Sequence, residues 1–452
     1  MRILDEFQLN YQETDSTAMV GSKVEKECCF REAYQQVDEG LKRSLGITGK
    51  SSGPYEQKNG QKTLINQRSI EVFERDELPQ DDNDSQIEKD DNQETNLDIK
   101  NESRIARFTL QKSTKEVLLG TKNPKGKKWQ TMDCLWSVVS GSDVAVLYSP
   151  SVLKAHYGGL ATCGSVWVCP VCSAKISERR KVEIVTVSDI HKQAGGGLYM
   201  VTLTWAHSRH DDLQAMVKSS REALRRLRMH RSYVQNSKEI DYVGMIRAFE
   251  VTHGDANGWH PHFHELWFLK QKLTARQLES WNRVLFEQWR KQCLRAGLGE
   301  PNRTVGIKII EAESASEYVA KFGNAPRWSV GSELTKHQTK HGKNGNRSPW
   351  DLLRLYAEGE SRFAHLFREY ANAFFGARQV YWSNGFKKLF GIQEMTDEAL
   401  AKMSEQDAYE VCRISKELWK KVLSQPYEAR PLILQLAETG GAKEVGIFLG
   451  SL

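Results

Sequence analysis

Residues 241–269, DYVGMIRAFEVTHGDANGWHPHFHELWFL, constrain the fold more than any other stretch of the chain. Two β-rich runs flank Gly254-Asp255-Ala256-Asn257-Gly258, a glycine-bounded loop of hairpin type. With regular pairing about Ala256, opposite residues carry numbers that sum to 512. Glu250 then faces His262, Thr252 faces His260 and Ala248 faces His264.

The second run sets His260, His262 and His264 at every second position in a chain with only 12 histidines. Alternate residues of a strand share a face. A row of imidazoles within a core is costly unless each polar nitrogen finds a partner, which a divalent ion supplies. An exposed, partly polar strand face is the plainer reading. The core-type run Leu266-Trp267-Phe268-Leu269 that follows weighs against it. His260, His262, His264 and, across the hairpin, Glu250 are therefore candidate metal ligands. Two imidazoles and a carboxylate suit Mn²⁺, Mg²⁺ or Zn²⁺.

The neighbouring patterns place this hairpin in a larger order. Residues 173–192 read as a helix stopped by Gly195-Gly196-Gly197, and 198–207 alternate as a strand. Residues 211–236 look helical, as do 274–297 behind the N-cap residue Thr274. Residues 304–312 form a further strand, and 314–322 a helix. The order β-α-β-β-α-β is the ferredoxin-like arrangement, an α+β fold with one antiparallel sheet and helices on one side. Its first and third strands are central, so the histidine strand is an inner one. Pro261 suits that position only at the strand's very start. Beyond residue 348 the chain is mostly helical: Ser348-Pro349 is an N-cap and N1 pair, and the apolar spacing that follows suits an αα-hairpin.

Charge is distributed unevenly over the 452 residues. The net charge is +6, yet residues 71–102 hold 13 Asp/Glu against 3 Lys/Arg. The body is thus basic, as a polyanion-binding protein would be. Residues 1–103 have the composition of an acidic, largely disordered region. The remaining chain divides into a zinc-binding module with a connecting helix (104–194), the ββ-containing domain (195–330), and a basic linker with helical C-terminal region (331–452). No apolar run of membrane-spanning length and no signal peptide is visible, so the expected compartment is the cytoplasm, with no membrane partner.

In a reducing compartment, clustered cysteines point to metal rather than disulfides. TCGSVWVCPVCSAKI spaces Cys163, Cys169 and Cys172 as C-x5-C-x2-C, and the CPVC turn aims two thiolates at one point. Cys134 or His156 could supply a fourth ligand to a structural Zn²⁺. Buried reduced thiols are the alternative. Arg179 and Arg180, with Lys181, and Arg225 and Arg226, with Arg228, are candidate phosphate contacts, or simply solvated helix faces. In EYVAKF, Tyr318 and Lys321 share a helix face, a commonplace arrangement that gains meaning only beside a metal and a basic surface.

Together these motifs carry a resemblance. HPHFHELWF (260–268) is similar to the HUH motif of HUH endonucleases, VTLTWAH (201–207) to the first motif of rolling-circle replication initiators, and YVAKF (318–322) to their tyrosine motif. VYWSNGFKKLFGI (380–392) resembles a segment of plasmid Rep proteins of the Rep_1 type. The resemblance spans residues 130–392. It implies an HUH endonuclease palm preceded by a zinc-ribbon-like module, and a site-specific single-strand nickase acting at a plasmid origin. The implied chemistry leaves a 5′-phosphotyrosyl link and a free 3′-OH, with host helicase and polymerase as further partners.

Within that resemblance His262 and His264 would hold Mn²⁺ or Mg²⁺, Tyr318 would be the nucleophile and Lys321 would position the phosphate. Cys134 would complete the zinc site. The chain departs from relatives with a second tyrosine or a Glu-x-x-x-Tyr arrangement, since Phe322 and Ser314 occupy those places. Glu317 is the remaining candidate to direct a terminating water. An HUH transposase uses the same chemistry. A non-catalytic zinc-containing DNA-binding regulator would leave the histidine row unexplained. A relaxase would place its tyrosine before the histidines, whereas Tyr318 follows them.

Overall fold

A computed structural model describes residues 87–312 and 346–452. Helix α1 (Ile87–Leu118) begins inside the acidic stretch expected to precede the ordered body. It is followed by the hairpin β1 (Val144–Ser149) and β2 (Lys154–Gly158), and by α2 (Pro170–Gln193). Pro170 occupies the first turn of α2, where its missing N–H costs nothing.

The next segment follows the expected order. It runs β3 (Gly197–Leu203), α3 (Leu213–Met229), α4 (Arg231–Glu239), β4 (Tyr242–Gly254), β5 (Gly258–Leu269), α5 (Ala275–Arg295) and β6 (Ile307–Glu311). The single helix expected over 211–236 is two. His230 takes an extended backbone, ends α3, and caps α4 by accepting from the Ser232 N–H through Nδ1. Thr274 caps α5 in a reciprocal box with Gln277. The helix expected over 314–322 lies outside the described residues.

The C-terminal part contributes β7 (Asn346–Arg347), α6 (Pro349–Ala357), α7 (Arg362–Ala373), β8 (Val380–Trp382), α8 (Phe386–Leu389) and α9 (Asp397–Lys402). It closes with β9 (Tyr409–Ile414), α10 (Lys416–Ser424), α11 (Ala429–Thr439) and α12 (Gly441–Gly450). Ser348 caps α6 in a box with Asp351, and α6 and α7 form the expected helical pair. Among the described residues no helix is long and apolar enough to cross a membrane.

The fold is α+β with two antiparallel sheets. The larger runs β6-β3-β5-β4-β7, with β8 also on β4, so β3 and β5 are inner strands as the β-α-β-β-α-β order requires. Pro261 is accommodated because β3 stops pairing at Leu203–Phe263, leaving β5 with only β4 beside it. Helices cover both faces rather than one. Tyr199, Val201, Phe263 and Trp267 pack against α3 and α5, and Leu198, Met200, Leu266 and Phe268 against Ile184 and Val187 of α2 and Phe386 of α8. Both faces are apolar here, so both must be buried. The smaller sheet, β2-β1-β9, packs on α10 and α11.

Candidate metal centres

The β4–β5 hairpin has the expected register, with Glu250 opposite His262, Thr252 opposite His260 and Ala248 opposite His264. Its loop is tight: Gly258 has φ +70°, and an added Cβ would lie 2.7 Å from Arg209 Cα. Arg347, at the return from residue 345, grips Asp255 with both guanidinium nitrogens at 2.7 and 2.8 Å. On the α2-facing side of β5, apolar Phe268 and Leu266 give way to His264 and His262 towards this loop.

Glu250 Oε2 lies 3.5 Å from His262 Nε2 and 3.7 Å from His264 Nε2, and the two nitrogens are 3.1 Å apart. The three side chains offer ligand atoms all within 4.8 Å of one another. His262 Nδ1 is 3.1 Å from the His260 carbonyl. A carbonyl only accepts, so Nδ1 carries the proton and the Nε2 lone pair points into the cluster. His264 Nδ1 is held by Thr202 Oγ1 at 3.0 Å. Glu250 Oε1 is buried without a hydrogen-bond partner. Three ligand atoms converging on one point, with an orphaned carboxylate oxygen beside them, fit a divalent cation.

The structure places His260 outside this trio. Its Nδ1 is 2.6 Å from His207 Nε2, and His207 Nδ1 donates to the Asn257 carbonyl at 3.1 Å. Burial above all, then the neighbouring His262 ring, pushes His260 down to about 3, and burial lowers His207 as well. Both rings are therefore neutral near pH 7. Thr202 and His207 escape a reading of the sequence, although both stand in VTLTWAH. Their signal is the β3 register, which sets Thr202 opposite His264. Tyr318, Lys321 and Glu317 lie outside the described residues.

The four cysteines converge as expected. Sγ–Sγ separations are 3.5 Å for Cys134–Cys172 and 3.7 Å for both Cys163–Cys172 and Cys134–Cys169, and all four are buried free thiols. A tetrahedron with metal–sulfur bonds of about 2.3 Å has edges of about 3.8 Å, so the cluster has the size of a tetrathiolate site. Cys169 is the N-cap of α2 and Cys172 lies in its first turn. His156, the alternative fourth ligand, instead faces Ser404 Oγ at 3.0 Å. Gln111 of α1 donates to the Cys134 carbonyl at 3.3 Å and to Cys169 Sγ at 3.7 Å.

The basic residues are engaged within the chain. Arg179 binds Glu405, and Arg180 binds Glu183, Asp397 and the Met395 carbonyl, which ties α2 to residues 395–405. Both candidate phosphate contacts thus carry ion pairs within the chain. Arg225 and Arg226 are exposed and share Glu222. Arg228 forms an ion pair with both oxygens of the fully buried Glu265 and lies over the rings of Tyr233 and Trp267.

Residues 160–418 match the family Rep_1, described as Replication protein. The chain is 28% identical over 305 residues to Protein rep of Streptomyces lividans, covering 53% of this chain and 66% of that protein. It is 32% identical over 149 residues to the Neomycin resistance protein of Streptomyces cyanogenus, covering 27% of this chain and 34% of that protein. The chain thus spans just under two thirds of the first relative and about one third of the second. No solved structure matches.

Proposed function

Given that the chain belongs to the Rep_1 family of replication proteins, we propose that it initiates plasmid replication by nicking one strand of origin DNA through a tyrosine. The carrying observation is the convergence of Glu250, His262 and His264 on one point of the β4–β5 pair. These three residues would hold Mn²⁺ or Mg²⁺, which would supply Lewis-acid polarisation of a phosphoryl oxygen. The strand order β6-β3-β5-β4 supports reading residues 195–330 as an HUH palm. The cysteine cluster supports a zinc-ribbon-like module before it.

In this reading Tyr318 Oη bonds to phosphorus as the P–O3′ bond breaks. The phenol gives up its proton and O3′ leaves as a hydroxyl. The 5′-phosphotyrosyl link conserves the bond energy for rejoining, and the 3′-OH primes synthesis by host helicase and polymerase. Lys321 would position the phosphate and Glu317 a terminating water. The tether to Tyr318 is long enough. Glu311 pairs with Tyr199, three residues from Thr202, which faces His264. Strand geometry makes the span from Glu311 to His264 about 14 Å, and seven residues reach up to about 23 Å.

Incubation with a single-stranded origin oligonucleotide and Mn²⁺ tests the reading. The expected products are a nicked strand and a protein–DNA adduct stable to denaturation. Tyr318→Phe should abolish the adduct while origin binding persists, and His262→Ala should abolish cleavage without lowering the metal-free melting temperature. An undiminished adduct in Tyr318→Phe would move the nucleophile elsewhere.

A further inference from the structure

Two cations reach the Cys134–Leu135 turn from helices far apart in the chain. Lys115 of α1 is half-buried, and its Nζ donates to the Cys134 carbonyl at 3.2 Å and lies 4.7 Å over the Trp136 ring. Arg430 of α11 is only 2% exposed. Its Nη1 donates to the Leu135 carbonyl at 2.7 Å, and the guanidinium stacks 4.1 Å from the Tyr427 ring. Its Nη2 is buried with no hydrogen-bond partner. Two consecutive carbonyls beside a cysteine are thus each held by a cation. Leu135 itself sits at φ +50°, a conformation a branched residue adopts only when its surroundings enforce it.

Among the described residues neither cation is paired with a carboxylate. Asp133, the acid next to Cys134, is taken by Lys128 at 2.7 Å and by Ser137 at 3.0 Å. Withdrawing positive charge from water without a counter-ion is costly. Four neutral thiols offer no compensation. Four thiolates around a divalent ion carry two net negative charges, the number that Lys115 and Arg430 supply in positive ones.

We propose that Lys115 and Arg430 are the counter-charge of a metal–tetrathiolate centre at Cys134, Cys163, Cys169 and Cys172. Helices α1 and α11 then belong to the metal site through the Cys134–Leu135 turn. The proposal rests on reading the four cysteines as a divalent-metal site, and its test separates the two.

The full chain is loaded with Co²⁺, and the near-ultraviolet thiolate-to-cobalt band, which the Glu250–His262–His264 cluster cannot produce, is followed during chelator competition. Lys115→Gln keeps a donor for the Cys134 carbonyl but removes the charge. It should bind about tenfold more weakly with an unshifted band, Lys115→Arg should match the wild type, and Arg430→Gln should weaken binding likewise. Equal affinities for the wild type and Lys115→Gln would overturn the counter-charge alone. Absence of the band in the wild type would overturn the metal reading with it.

Discussion

Thr202 Oγ1 on β3 and His264 Nδ1 on β5 are joined at 3.0 Å, so the first strand of the sheet orients an imidazole that belongs to the third. Outer partners of this kind fix ring orientation and ligand basicity. Thr202→Val keeps the shape and removes the bond. Its Mn²⁺ affinity should fall about 10–100-fold, read by calorimetric titration, with little change in metal-free melting temperature. Unchanged affinity would reduce Thr202 to a packing residue.

Glu250, His262 and His264 bring three ligand atoms within 4.8 Å of one another, ready for a cation. Saturating Mn²⁺ should therefore stabilise the protein, by about 2.7 kcal/mol at a hundred times Kd. In Glu250→Gln that gain should largely vanish, while the metal-free protein melts close to the wild type. Thermal melts with and without Mn²⁺ give the comparison.

His191 is buried against the β3–β5 end of the sheet, where its Nε2 faces the carbonyls of Leu269 at 2.9 Å and Gly197 at 3.2 Å. Burial lowers it from 6.5 to about 4. Below pH 6.5 the unfolded chain takes up a proton that the folded chain refuses. Stability from this group therefore falls as pH drops from 6.5 to about 4, by about 3 kcal/mol in all, and levels off below. His191→Gln should show a flatter loss over that window in urea unfolding at pH 6.5 and 4.5.

Arg228 stands in a basic helical run yet serves a buried acid. Arg228→Met would leave the Glu265 carboxylate its bond from the Trp267 indole N–H at 2.8 Å but remove its ion pair with Arg228. The expected destabilisation is about 3–5 kcal/mol by urea unfolding, with DNA affinity of the folded protein little altered. A mild stability change with a large loss of DNA binding would return Arg228 to the nucleic-acid surface.

What the sequence discloses follows from locality. A short loop between two alternating runs sets its own register, so Glu250 opposite His262 is legible from numbering alone. The spacing of Cys163, Cys169 and Cys172 announces a shared point because a turn and a helix start hold them. The ion pairs of Arg179 and Arg180 with Glu405 and Asp397 are not legible because those partners lie over 200 positions away. Thr202 and His207 become visible only when β3 is set beside β5. The apolar character of both sheet faces was present in Met200, Ile246 and Leu266, and it is why α2 covers the side expected to be bare.

Strand β1 takes its outer partner, β9, from residues 409–414. On the ribosome, the early hairpin must therefore wait until residues 409–414 have been made, roughly tens of seconds at ordinary elongation rates. Until then it exposes a strand edge that invites pairing with other nascent chains. A chain cut before residue 409 would keep the β4–β5 hairpin with Glu250, His262 and His264, but its first-made sheet would never close.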